Sequence, residues 1–171
     1  MAEKRGSGDF SITEVEMSVF VNATEDEEKV ERALRNIIPP EITGVKVERQ
    51  TLKGHYKDPI TLITARVRKK RMAKEVFRST MKGLSSLDQN RLMEEVEDRS
   101  DEAGSLYLRL NKQGALRGVR TLVDVDPIRM RFRFRIPHKA DPVVVIRASI
   151  TSIIDEGLDT LTPIKSRRLE R

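Results

Sequence analysis

Apolar residues return at every second position in two long stretches of the chain and at every third or fourth in several others, so strands and amphipathic helices are predicted to alternate. In the clearest stretch, Met130, Phe132, Phe134 and Ile136 alternate with Arg129, Arg131, Arg133 and Arg135. This predicts a strand with one apolar and one cationic face. Near the amino end, Val15, Met17, Val19 and Val21 alternate with Glu14, Glu16, Ser18 and Phe20, in a strand predicted over residues 12–23. Thr24 and Glu27 have capping-box spacing, and Glu25 to Glu28 favour the positive end of a helix dipole. Val30, Leu34, Ile37 and Ile38 supply that helix's buried stripe, and Pro39-Pro40 ends it.

The same reading gives strands over 45–51 and 60–68 around a turn at Gly54 to Pro59, then a helix over 69–82 stopped at Gly83. Ser86 is expected to cap a third helix through residue 98. Leu106, Leu108 and Leu110 alternate with Tyr107 and Arg109 in a further strand, and Asn111 caps a short helical turn. Asp141-Pro142 opens a last long helix with Val143, Ile146, Ile150, Ile153 and Ile154 inside. The predicted class is α+β: one domain over 12–157, its mainly antiparallel sheet backed by helices on one face. A polar lead over 1–11 and a basic tail over 158–171 flank it.

Composition narrows the chemistry. Aromatics are only 4% of 171 residues and Trp is absent, so the core must be mainly aliphatic. Cysteine is absent, which excludes disulfides, thiolate nucleophiles and cysteine zinc sites and suits a reducing cytoplasm, the expected location. Abundant Lys, Arg and Glu also suit a heat-loving source. Neither a secretion-signal core nor a membrane-length apolar run is found, and no membrane partner is expected.

The net charge is +6, and between Lys112 and Lys139 eight basic residues face two acidic ones, a surplus equal to that of the whole chain. A field this concentrated favours polyanions. Same-face arginines on a strand stand roughly 6.6 Å apart, a ladder suited to successive phosphates. The competing reading is that Glu14 and Glu16 neutralise the ladder across the sheet. Two glutamates cannot pair one to one with four arginines, so part of the row is left for a ligand. Lys70, Lys74, Arg78 and Lys82 recur every four residues on the helix over 69–82, with local relief expected from Glu75, chiefly to Arg71. Such a stripe is either a solvated face or a second wall of a groove. Candidate RNA-binding residues are therefore Arg129, Arg131, Arg133, Arg135, Lys70, Lys74, Arg78, Lys112, Arg117 and Arg120. His55 and Tyr56 read as ordinary loop residues, base stacking being the lesser alternative.

The sequence carries no phosphate loop, nucleophile elbow, paired-histidine helix or calcium loop. The nearest approach is Asp124-Val-Asp126, two carboxylates able to hold Mg²⁺ beside RNA, although ahead of Pro127 they read first as the start of a turn. No cofactor is expected and the chain reads as a non-enzyme.

Four motifs in order, Val21-Asn-Ala-Thr-Glu-Asp-Glu-Glu-Lys-Val30, Gly54-His-Tyr-Lys-Asp-Pro-Ile60, Arg68-Lys-Lys70 and Ser105-Leu-Tyr-Leu-Arg-Leu-Asn-Lys-Gln113, resemble an archaeal RNA-binding family predicted to supply an exosome subunit. The resemblance spans residues 14–150, with Asn111 where the family usually has Asp and Gly114 where it has Ala. It implies a fold like that of the large-subunit ribosomal protein that binds five-S RNA. It also implies RNA, the exosome or other RNA-processing proteins as partners. The few aromatics favour recognition of the backbone or shape of structured RNA over base stacking. The alternative function is a protein-interaction subunit whose basic surface binds acidic partner proteins.

Overall fold

The computed structural model describes residues 9–56 and 58–159. The elements in order are β1 (Ile12–Val21), α1 (Glu27–Ile37), β2 (Val47–Lys53), β3 (Pro59–Val67), α2 (Lys70–Gly83), α3 (Ser86–Glu94), β4 (Ser105–Leu110), α4 (Lys112–Leu116), β5 (Ile128–Phe134) and α5 (Pro142–Asp159). The five strands form one sheet in the order β2-β3-β1-β5-β4, and every neighbouring pair is antiparallel. The fold is a single-domain α+β protein, as the periodicity predicts.

Register turns the sequence pattern into a layer. Val15, Met17 and Val19 of β1 lie beside Val67, Ala65 and Ile63 of β3, and Val15 and Met17 lie beside Phe132 and Met130 of β5. Leu106, Leu108 and Leu110 of β4 continue these rows, and all are buried. The period of two thus puts a continuous aliphatic surface on one face. Onto it α1 and α2 pack with Val30, Ala33, Leu34 and Ile37, and with Ala73, Val76, Phe77 and Met81. Phe77 sits at an aromatic centre, edge-on to Phe10, Phe132 and Phe134 with ring centroids 5.5, 5.2 and 5.3 Å away. Burying rings of this size is worth roughly 3 kcal/mol each, with edge-to-face contacts adding about 1 kcal/mol.

Several boundaries differ from expectation. Asp26, not Thr24, caps α1, its carboxylate accepting from the Glu28 and Lys29 amides at 3.0 and 3.3 Å. Glu25 instead turns back to accept from the Asn22 amide at 2.9 Å. Ser85 rather than Ser86 caps α3, accepting from the Asp88 amide, and α3 stops at Glu94. Strand β5 ends at Phe134, so Arg135 lies just past it; beyond the bulge in the β1 register between Ile12 and Glu14, the Arg135 amide still donates to the Ser11 carbonyl at 2.8 Å. Phe10 is buried against Phe77, so of the expected 1–11 lead at least this residue belongs to the core. The lead before residue 9 and the tail beyond residue 159 lie outside the described residues.

Candidate nucleic-acid interface

The outer sheet face is built from the residues that alternate with the core. Its β5 row is Arg129, Arg131 and Arg133, set beside Ser18, Glu16 and Glu14 of β1 and Arg109, Tyr107 and Ser105 of β4. Farther along lie Phe20 and Leu62, neighbours on β1 and β3. Towards β2 the same face carries Arg66 of β3 and Glu48 of β2, 3.6 Å apart, so charges there are paired across strands, whereas towards β4 the cations Arg129 and Arg109 stand side by side.

The two expected neutralising glutamates act on only one rung. Arg131 lies 4.0 Å from Glu14 and 3.8 Å from Glu16, and its side chain is half-buried. Glu16 itself is held more closely by Arg66, whose Nε donates at 2.7 Å. That contact is the first cause of the raised Arg66 pKa. Arg129, Arg133 and Arg135 are exposed, and among the described residues no carboxylate comes within 4.0 Å of them. Arg129 is ordered by a different neighbour: its guanidinium carbon lies 5.2 Å from the centroid of the Phe20 ring.

The remaining candidates are not brought to this face. Lys112 is buried at 6% exposure, and its ammonium donates to the Phe20 carbonyl at 2.6 Å and contacts Asp126 at 2.8 Å and Glu25 at 3.1 Å. With its donors engaged inward it is a structural cation, which corrects its expected place on a phosphate track. Arg120 is likewise structural. One Nη donates to the Ile37 carbonyl at 3.2 Å and to Ser79 Oγ at 3.0 Å, and burial pulls its pKa down. Arg117 is exposed, with Nε donating to the Gln113 carbonyl at 3.3 Å.

Helix α2 occupies the opposite layer, so Lys70, Lys74 and Arg78 do not extend the arginine row. Arg78 lies 3.2 Å from Glu75 and 3.5 Å from Glu156 of α5, and Lys82 lies 3.6 Å from Glu156. Glu75 therefore relieves Arg78 rather than Arg71. Lys74 covers the Phe10 ring at 4.5 Å and approaches Asp9 at 3.8 Å. Asp124 and Asp126 diverge, the first accepting from Arg91 at 3.1 Å and the second meeting Lys112 and Asn22. His55 and Tyr56 lie in the β2–β3 turn, rings edge-on at 5.9 Å, with Tyr56 exposed.

Arg109, Tyr107 and Phe20 belong to the same face and sequence reasoning did not select them. The signal was present for Arg109, the outward position in the Leu106, Leu108, Leu110 alternation. Only strand pairing reveals that it stands beside Arg129.

Comparison with known proteins fits this architecture. A family model described as RNA binding matches residues 14–134. The chain is 31% identical over 142 residues to an RNA-binding protein of Pyrococcus abyssi, covering 81% of this chain and 92% of that one. It is 32% identical over 130 residues to a protein of Methanocaldococcus jannaschii, covering 73% and 86%. A solved DUF54 protein of Methanothermobacter thermautotrophicus superposes with a TM-score of 0.65 at 33% identity, covering 84% of this chain and 98% of that one. The chain belongs to this RNA-binding family.

Proposed function

We propose that this member of the RNA-binding family grips the phosphate backbone of structured RNA with the outer face of its sheet, as a non-catalytic accessory factor in RNA processing in the cytoplasm, in association with the exosome. The observation that carries the reading is the pair of exposed guanidiniums at Arg129 and Arg133 on the sheet face away from the helices, followed by exposed Arg135 just past the strand, with no carboxylate within 4.0 Å of them among the described residues. A guanidinium offers five donors in a fixed fork, and phosphate oxygens satisfy that fork two at a time. Arg131, already leaning on Glu14 and Glu16, is the weaker contact in the row. Contacts of this kind set affinity and register and carry little sequence information. The ribosomal five-S-RNA-binding fold that the sequence resemblance implies is the reason for choosing structured RNA as the first ligand to test.

The test is a titration of hairpin and single-stranded RNA at several salt concentrations, with wild type and a folded Arg129→Ala/Arg133→Ala variant side by side. The log-log salt slope is expected to be roughly −0.7 per phosphate for single strands and about −0.9 for duplex, and to become shallower in the variant. Equal binding by the variant would remove these arginines from the interface. Binding of acidic proteins in place of any salt-dependent RNA binding would make the chain a protein-interaction subunit. Retention of exosome components on immobilised protein, lost on ribonuclease treatment or not, separates an RNA bridge from direct association.

A further inference from the structure

Arg109 and Arg129 face each other directly across β4 and β5. The backbone of β4 shows which kind of pair they form. The Tyr107 amide donates outward to the Arg99 carbonyl at 2.8 Å, and the Arg109 carbonyl accepts from the Val123 amide, also outward, at 3.0 Å. Odd-numbered residues of β4 thus turn their backbone groups away from β5, whereas the Gly104 carbonyl accepts from the Phe134 amide at 2.9 Å. Arg109 and Arg129 are therefore a non-hydrogen-bonded pair, the closer of the two antiparallel kinds, with facing Cα atoms about 4.5 Å apart.

Two permanent positive charges placed this way repel, and like charges directly opposite destabilise a sheet. Among the described residues no carboxylate comes within 4.0 Å of either guanidinium to offset that cost. Arg131, one rung along, has two glutamates within that distance. Phe20, a diagonal neighbour on β1, lies against the Arg129 guanidinium and restricts its plane. A local rule is broken where a ligand can mend it.

We propose that Arg109 and Arg129 form a two-sided clamp on a single phosphate of the bound RNA, with Phe20 as the positioning residue of Arg129. Arg133, four residues along β5 and so roughly 13 Å away, grips a different phosphate. The clamp rests on the RNA-binding reading and gives it a defined anchor.

Binding of one short single-stranded RNA is measured for Arg109→Ala, Arg129→Ala, Arg133→Ala and their pairs, each shown folded by circular dichroism. Each clamp variant is expected to lose roughly tenfold to a hundredfold in affinity, the range of a charge-assisted contact. The Arg109/Arg129 double variant should lose less than the product of the two single losses. Its salt slope should become shallower by only about 0.7, the value for one phosphate. Arg133→Ala should combine multiplicatively with either. Without RNA, Arg109→Gln should raise the urea midpoint by removing the repulsion. Phe20→Leu should weaken RNA binding in wild type and change nothing in the Arg129→Ala background. An unchanged affinity for Arg109→Ala, or multiplicative losses with a slope change near 1.4, would overturn the clamp. Wild type without salt-dependent affinity for this strand or for an RNA hairpin would instead remove the RNA reading, and the clamp with it.

Discussion

Arg129 and Lys112 both reach Phe20, one from each side of the molecule. Arg129 lies over its ring on the open sheet face, while Lys112 donates to its backbone carbonyl from within the helical side. Both were drawn from the same basic segment of the sequence. Their environments separate them: Lys112 has Glu25 and Asp126 in contact, and Arg129 has no carboxylate within 4.0 Å among the described residues. Arg120, threaded between Ile37 and Ser79, belongs with Lys112, and Arg109 and Arg133 belong with Arg129. A cation whose donors are spent on the protein sets stability. One whose donors face water can meet a ligand.

The sharpest way to break that division is Lys112→Ala. It leaves the Phe20 carbonyl without its donor and Glu25 and Asp126 without their shared counterion. Removing one member of a fully buried pair costs 3–5 kcal/mol, but Glu25 and Asp126 retain water, so a loss of about 2–3 kcal/mol is expected by urea unfolding. The Arg129→Ala/Arg133→Ala variant should unfold within about 0.5 kcal/mol of wild type, as surface changes do. A Lys112→Ala protein that is as stable as wild type yet loses RNA affinity would reverse the two assignments.

Arg120 gives a smaller effect through a glycine. A Cβ built on Gly83 would lie 2.7 Å from Arg120 Cδ, so the last residue of α2 must stay bare for the arginine to pass. Gly83→Ala is expected to cost about 1 kcal/mol, overpacking outweighing the gain in helix propensity. The cost should shrink in an Arg120→Ala background, which a double-mutant cycle reads directly. Equal costs in both backgrounds would mean that Arg120 is not confined there.

Paired carboxylates on the helical side predict a milder dependence on pH. Arg49 holds Glu31 below its ordinary 4.5 against the opposing pull of burial, and Arg91 with Arg99 does the same for Glu95. Because the folded pKa is the lower one, these carboxylates stabilise the fold fully above pH 4.5. That contribution fades as pH falls through their depressed values. Unfolding midpoints measured from pH 6 down to pH 3 should decline, and Glu95→Gln should flatten part of the decline. A slope unchanged by Glu95→Gln would show that this triad contributes nothing.

How far such divisions could be read from sequence depends on where the deciding atoms lie. The rows of β1 and β5 were legible because burial on one face imposes a period of two. The N-terminal caps of α1 and α3 were misplaced by two residues and one, since Thr24, Asp26, Ser85 and Ser86 are all capping residue types and only backbone geometry chooses among them. The arginine row was legible as a charged face, but not which rung was neutralised. That depended on a register placing Glu16 between Arg66 and Arg131. Lys112 was misread because its partners, Glu25 and Asp126, come from distant parts of the chain and were explained there as a helix start and a turn. Arg109 was overlooked because one arginine in a leucine strand is ordinary until pairing sets it against another.

The smallest predicted effect tests the α2 stripe. In sequence, Lys70, Lys74 and Arg78 looked like a second wall for the arginine row, but α2 lies on the core side of the sheet. A charge on the far side of a helix sits at least one helix diameter, about 10–12 Å, beyond the sheet. At physiological ionic strength the screening length is about 8 Å, so its field at the outer sheet face is small. Glu75 and Glu156 reduce it further at Arg78. Lys70→Gln/Lys74→Gln should therefore shift RNA affinity by no more than about twofold, with an unchanged salt slope, whereas clamp substitutions change both. A larger loss with a shallower slope would mean that RNA wraps from the sheet onto the helical layer. The boundary between ligand-facing and structural cations would then run through α2 instead of around it.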